Sequence, residues 1–154
     1  MRIHQFEARQ VVPIPLHAAW AFFSDPRNLP RITPPWLGFE VTSPLPAEMY
    51  AGLIITYRVR PLFGVALAWV TEITHLREPH FFVDEQRFGP YRFWHHQHHF
   101  REAEGGTEIH DLVHYALPVA PLAPAVNRWM VSPRVAEIFR FRRAVLAERF
   151  PGRG

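Results

Sequence analysis

The chain has 154 residues, 48% of them apolar and 14% aromatic. That is the length of one domain (1–154), with material for a sizeable core and too much apolar content for a disordered chain. The formal charge is +3, and every cation is an arginine, scattered singly except near the C-terminus, so nucleic-acid binding is not expected. Cysteine is absent, which removes disulfides, thiol catalysis and Cys-ligated zinc or iron–sulfur sites. No segment supplies the ~18 uncharged apolar residues of a membrane span. The opening Met1-Arg2-Ile3-His4-Gln5-Phe6-Glu7 lacks the apolar run of a signal peptide. A cytoplasmic protein without integral membrane association is the expectation.

Residues 2–12 read as a strand ending in Val11-Val12 before Pro13. Pro15 suits the first turn of a helix, and Leu16 to Phe23 follows as a short apolar one. Asp25 is a fitting N-cap with Pro26 at the first helical position, which opens a second short helix through about Arg31. Thr33-Pro34-Pro35-Trp36-Leu37-Gly38 is irregular, because tandem prolines remove donors and fix the backbone. Strands are predicted at Phe39 to Thr42, Leu53 to Arg60, Ala66 to Leu76, Phe81 to Phe88, Tyr91 to Arg101 and Thr107 to Leu117. Turn signals fall between them at Phe63-Gly64, Glu78-Pro79, Gly89-Pro90 and Glu104-Gly105-Gly106. This describes an antiparallel meander. After Pro118 the period changes. Leu122, Val126, Trp129, Met130, Val135, Ile138, Phe139, Val145 and Leu146 mark an amphipathic helix, with a kink or break expected at Ser132-Pro133. Arg140, Arg142, Arg143 and Arg149 crowd its last turns, where the helix dipole favours cations.

Four of the ten histidines lie in one five-residue stretch, His95-His96-Gln97-His98-His99. Strand alternation puts Tyr91, Phe93, His95, Gln97 and His99 on one face and Arg92, Trp94, His96, His98 and Phe100 on the other. The second face ends in large apolar residues and is the expected interior. It then buries two imidazoles, which must be hydrogen-bonded, metal-bound or in contact with a ligand. On the following strand Ile109, Asp111, Val113, Tyr115 and Leu117 share the apolar-rich face. On earlier strands Ile55, Tyr57 and Val59, and Trp69, Thr71 and Ile73, face the same way.

Trp20-Ala21-Phe22-Phe23-Ser24-Asp25-Pro26-Arg27-Asn28-Leu29 resembles the first-helix motif of the START/Bet v 1-like (SRPBCC) superfamily. Thr33-Pro34-Pro35-Trp36, and Gly89-Pro90-Tyr91 leading into Trp94-His95-His96, are similar to a bacterial stand-alone subgroup related to polyketide cyclase/dehydrase-like proteins. The resemblance covers nearly the whole chain. It implies an α+β helix-grip: a curved antiparallel sheet of about seven strands wrapped on a long C-terminal helix, with two short helices after the first strand. It also implies a hollow for a small hydrophobic ligand such as a lipid, quinone, polyketide or aromatic, and no cofactor. Superfamily members include carriers, sensors and enzymes, so the fold does not select the function.

With Phe82, Asp84 and Gln86 turned inward on the strength of that resemblance, the expected hollow is walled by Trp20, Phe23, Ile55, Trp69, Ile73, Phe82, Trp94, Phe100, Val113, Val126, Trp129 and Met130. A polar band of Tyr57, Asp84, Gln86, His96, His98, Asp111 and Tyr115 crosses it, an arrangement typical of ligand pockets. Trp36 is either a plug on the core or a gate at the pocket mouth. The band has three readings: a structural network, recognition of a ligand's polar end, or chemistry. Chemistry would be a cyclase/dehydratase-like His–Asp pair drawn from His96, His98 and Asp111, or a two-His-one-carboxylate metal set completed by Asp111 or Asp84. Metal is the least favoured of these, and none is assigned. His95, Gln97 and His99 with His110 and His114 would form an exposed patch. An edge strand near the N-terminus would support a homodimer.

Overall fold

A computed structural model describes residues 1–118 and 121–152. Strand β1 (His4–Val12) alternates exposed and half-buried residues, as a strand with one wet face should. Helix α1 (Leu16–Phe23) follows directly and buries Ala19, Trp20 and Phe22. The second short helix is present at Pro26–Ile32, but as a 3₁₀ stretch. Pro30 inside it has no N–H to donate, which disfavours α geometry. Its start is capped as expected, with the Asp25 carboxylate accepting from the Arg27 amide at 3.0 Å. The Pro-Pro segment is not wholly irregular, since Pro35–Leu37 makes one more 3₁₀ turn.

The sheet consists of β1, β2 (Glu40–Val41), β3 (Ile54–Val59), β4 (Leu67–Arg77), β5 (Phe81–Phe88), β6 (Phe93–Ala103) and β7 (Gly106–Ala116). Their order is β1-β7-β6-β5-β4-β3-β2 and every pairing is antiparallel. The meander of β2 to β7 thus places β6 near the middle, and β1 returns to pair with β7. Gly106 makes this closure possible: its φ is +146°, and a Cβ there would run into the Val12 carbonyl at the end of β1. The β1 edge is not free along its length. Arg143 donates to the Arg9 carbonyl at 2.7 Å, and Gln10 donates to the Arg143 carbonyl at 3.0 Å.

The C-terminal segment runs as α2 (Ala123–Val126), a π-helical stretch (Asn127–Val131) and α3 (Ser132–Arg149). The interruption foreseen at Ser132-Pro133 therefore takes the form of a widened turn, in which the Ser132 amide bonds the Asn127 carbonyl five residues back. The long helix packs over the sheet through Val135, Phe139, Arg142 and Leu146, its buried residues. Two apolar clusters result. One joins α1 to β3–β6, with Trp20 edge-on to Phe82 and Phe100 at 5.9 Å each. The other joins β7 to α3 through Val113, Tyr115, Val135 and Phe139. Among the described residues no helix is long and apolar enough to cross a membrane.

Candidate functional site

Strand register builds the site. Asp84 on β5 lies directly opposite His96 on β6, and His98 lies directly opposite Asp111 on β7. All four side chains point to the helix-facing side, and the shortest contacts run diagonally. His98 Nε2 is 2.6 Å from Asp84 Oδ2, and His96 Nε2 is 2.8 Å from Asp111 Oδ1. Two longer contacts close the ring: His98 Nδ1 to Asp111 Oδ1 at 3.2 Å and His96 Nδ1 to Asp84 Oδ2 at 3.5 Å. The imidazoles lie side by side with centroids 3.7 Å apart. Arg142, from α3, brings its guanidinium to 3.8 Å from Asp111.

Charge decides how this group holds its protons. Burial alone would raise both carboxyl pKa values. The imidazoles and Arg142 outweigh it, so Asp84 is lowered and Asp111 lies well below its usual range. Burial also pushes both histidines down. For His98, hydrogen bonds to Asp111 and Asp84 overcome it and the net shift is upward. His96 stays lowered, because burial is reinforced by the neighbouring His98 charge. The consistent state has Asp84⁻, Asp111⁻, Arg142⁺, His98⁺ and neutral His96, a group with no net charge. In that state His98 donates to both carboxylates, and His96 donates from Nε2 to Asp111 and keeps a lone pair on Nδ1.

Asp84, His96 and His98 line a cavity of about 170 Å³ between the sheet, the Pro26–Leu37 segment and α3. More than ten times the ~10–15 Å³ needed by one water is therefore open. The rest of the wall is mainly aromatic and aliphatic, with Trp36, Phe39, Tyr57, Trp69, Trp94 and Phe139 among its rings. Tyr57 has its hydroxyl pKa pushed up, by burial first and by the Asp84 charge second, so it stays protonated.

Of the predicted wall, Phe23, Trp36, Ile55, Tyr57, Trp69, Phe82 and Trp94 reach this cavity, with Ile73. Trp20 and Phe100 do not; they are core beneath it. Gln86 does not either. It donates to the Tyr91 carbonyl at 2.6 Å and accepts from the Tyr91 amide at 3.1 Å, holding the β5–β6 turn. Asp111 lies behind the histidines and faces an outer groove between β1, β7 and α3. Val113 is core, and Tyr115 donates to Asn127 Oδ1 at 2.7 Å, tethering the π stretch to the sheet. Val126 packs on that same core rather than on the cavity, and Met130 is half-buried outside it.

The clearest correction is Trp129, which is 73% exposed. A π turn takes one more residue than an α turn, so it breaks the phase on which the Val126–Trp129–Met130 stripe was read. The roof comes from later turns, through Arg134, Val135, Ile138, Phe139 and Arg142. Arg142 is a second correction. It is only 8% exposed, not a solvated partner of the helix dipole. Its Nε has no hydrogen-bond partner among the described residues, and its guanidinium stacks on Phe139 at 4.9 Å. The signal was present in sequence: 142 continues the buried spacing 135, 139, 142, 146. On the opposite sheet face His95 pairs with Glu85 at 3.0 Å and His110 with Glu7 at 2.8 Å, while His99 stacks on His110.

An antiparallel sheet closed over a long C-terminal helix, with an apolar hollow between them, defines a helix-grip α+β protein of the Bet v 1-like type. The family described as polyketide cyclase/dehydrase and lipid transport matches residues 12–139, and the chain belongs to it. Solved structures agree on the fold. Protein Ms6760 from Mycobacterium smegmatis is 21% identical with a TM-score of 0.64, covering 94% of this chain and 92% of its own. Ara h 8.0201 is 17% identical with a TM-score of 0.62, covering 96% of this chain and 99% of its own. The di-domain ARO/CYC BexL from the BE-7585A biosynthetic pathway is 16% identical with a TM-score of 0.69; the match covers 99% of this chain and 51% of that one. No curated protein sequence matches the chain.

Proposed function

We propose that the protein binds a small, mainly apolar, ring-containing molecule in the cavity, with its polar end against His96, His98 and Asp84. The observation that carries this is a mainly aromatic-walled cavity of about 170 Å³ with Asp84, His96 and His98 grouped together on its sheet wall. A filled structural module has no use for such a space. Its size also ranks the ligand classes. An apolar cavity of roughly 150 Å³ accepts benzene, so this one suits one or two rings. A sterol or long-chain lipid would require the N-terminal half of α3 to lift. Burying a ring of about 150–250 Å² contributes roughly 4–6 kcal/mol, and one hydrogen bond to a charged group adds about 1.5–3.

Trp36, Trp69 and Trp94 line the cavity and supply the readout. Titration with phenols and naphthols is expected to give saturable changes in tryptophan fluorescence, with hexadecanoate giving none. Ile138→Trp, which fills the roof, should abolish the change without loss of fold. Equal responses in wild type and Ile138→Trp would overturn the proposal. Native mass spectrometry of freshly purified protein would show any ring-sized molecule already carried.

A second reading, a cyclase/dehydratase-like enzyme, is favoured by one observation. His96 Nδ1 faces the cavity side with its lone pair, while Asp111 holds the ring from behind at 2.8 Å, the arrangement of a general base. His96→Gln separates the two readings: a binder loses affinity, whereas an enzyme keeps it and loses turnover.

A further inference from the structure

The four ring contacts have a direction. Both inner nitrogens, His96 Nε2 and His98 Nδ1, converge on a single oxygen, Asp111 Oδ1, at 2.8 and 3.2 Å. Both outer nitrogens, His96 Nδ1 and His98 Nε2, converge on Asp84 Oδ2 at 3.5 and 2.6 Å, and these three residues line the cavity. With its Nε2 engaged by Asp111, His96 turns Nδ1 toward Asp84 Oδ2 at 3.5 Å. No hydrogen bond joins that nitrogen to another described residue. Two imidazole nitrogens and a carboxylate, donor types that bind transition metals, thus converge on the cavity side of one wall.

The geometry points to a divalent transition-metal site formed by Asp84, His96 Nδ1 and His98 Nε2, with Asp111 as the carboxylate that orients both imidazoles from behind. The three donor atoms lie within 4.8 Å of one another. Donors around a zinc ion at ~2.0–2.1 Å in tetrahedral geometry are roughly 3.3 Å apart. The observed 2.6 and 3.5 Å to Asp84 bracket that spacing, so the carboxylate is already placed for ligation. Two imidazoles and one carboxylate suit Zn²⁺ or Fe²⁺ and leave a coordination position open. Here that position faces the cavity. A single carboxylate holding the far N–H of each ligating histidine is the usual means of fixing ring orientation and raising donor strength. Arg142, 3.8 Å from Asp111, also lines the cavity, so its cation and the bound dication share the same two carboxylates. With the His98 Nε2 proton released to solvent on binding, a dication added to Asp84⁻, Asp111⁻ and Arg142⁺ leaves one positive charge, which favours an anionic oxygen donor in the open position.

This site departs from the cofactor-free expectation and does not rest on the ring-binding reading. The test uses the full chain, stripped with chelator, dialysed and titrated with Zn²⁺ by calorimetry and with Co²⁺ by visible absorption. One tight equivalent and a Co²⁺ ligand-field band are expected. His96→Ala and His98→Ala should each remove both signals, and Asp84→Asn should weaken them. Asp111→Asn should retain the band and lower affinity about 10–100-fold. The outer-face histidines are the obvious competitors for zinc. A quadruple variant, with His95, His99, His110 and His114 changed to Ala, should bind as wild type does. Loss of binding in that variant, or no uptake below about 100 µM Zn²⁺ by wild type (Kd weaker than roughly 5.5 kcal/mol), would overturn the proposal. Circular dichroism checks each variant's fold. Where an alanine variant is unfolded, His98→Gln and His96→Gln give the same comparison.

Discussion

Asp111 is the residue on which the buried group depends, and Asp111→Asn measures that dependence. The substitution keeps the shape and one acceptor oxygen but removes the charge that faces His96, His98 and Arg142 at 2.8, 3.2 and 3.8 Å. A hydrogen bond with a charged partner contributes about 1.5–3 kcal/mol and a neutral one about 0.5–1.5. Two weakened bonds therefore lose roughly 2–3 kcal/mol. Arg142, 8% exposed, also loses its nearest counter-charge. Removing one member of a buried ionic group costs about 3–5 kcal/mol, so about 3 kcal/mol is expected for Asn and more for Ala. In a domain of this size that lowers Tm by about 6–12 °C. The assay is urea unfolding followed by near-UV circular dichroism, in chelator so that only the protein's own contacts count. A double-mutant cycle with His96→Gln should return a coupling above ~1 kcal/mol. Asp111→Asn within 0.5 kcal/mol of wild type, or zero coupling, would refute the reasoning.

The same group sets a pH dependence in metal-free protein. Asp84 and Asp111, held below their ordinary 3.8, stabilise the fold above that pH and lose the contribution as pH falls through their lowered values. His96, lowered from 6.5, adds a loss below pH 6.5 because the unfolded chain takes the proton more readily. His98, raised above 6.5, stabilises fully below that pH and stops doing so as pH rises through its folded value. Urea midpoints should therefore pass through a maximum near neutrality; a monotonic rise from pH 5 to 9 contradicts the assignment of the proton to His98. Leu146→Ala, at 1% exposure, should cost about 2–5 kcal/mol, while Trp129→Ala, at 73%, should stay within about 0.5; equal losses would contradict the helix phase described above. Arg142→Met keeps the packing stem and removes a buried cation lacking a hydrogen bond at Nε. It leaves Asp84 and Asp111 short of one counter-charge, so it should cost about 3–5 kcal/mol in urea and weaken binding of ligands with an oxygen acceptor; a loss under about 0.5 kcal/mol would show that His98 alone compensates the two carboxylates.

The sheet was legible because alternation of period two is strict where one face is buried. His96, His98, Phe100, Ile109, Asp111 and Val113 all lie on the face that the apolar residues selected. Phe82 and Asp84 could not be oriented by periodicity alone, since β5 carries bulky residues on both faces at Phe81, Phe82 and Val83. The C-terminal helix was legible as a helix but not in phase. A π turn leaves no mark in a hydrophobic pattern beyond the nearby Pro133, so Trp129, which lies within it, falls on the exposed side and not on the predicted inner one. Arg142 escaped for a different reason: arginine in a basic run reads as surface, and only the two facing carboxylates make its burial tolerable. Gln86 and Tyr115 were rightly seen as polar groups on an inward face, yet their partners are a turn amide and an asparagine, which no strand pattern reveals.

The diagonal pairing of Asp84, His96, His98 and Asp111 across three neighbouring strands has a consequence for how the chain reaches this structure. A slip of one residue between β5 and β6, or between β6 and β7, would turn one side of the group to solvent and leave the other buried without its counter-charge. Such a slip already carries the apolar face to solvent, and the uncompensated buried charge adds a further penalty to it. The four polar residues therefore act as a proofreading device for strand alignment: among the possible sheets, only the one that also assembles the cavity wall is free of that penalty.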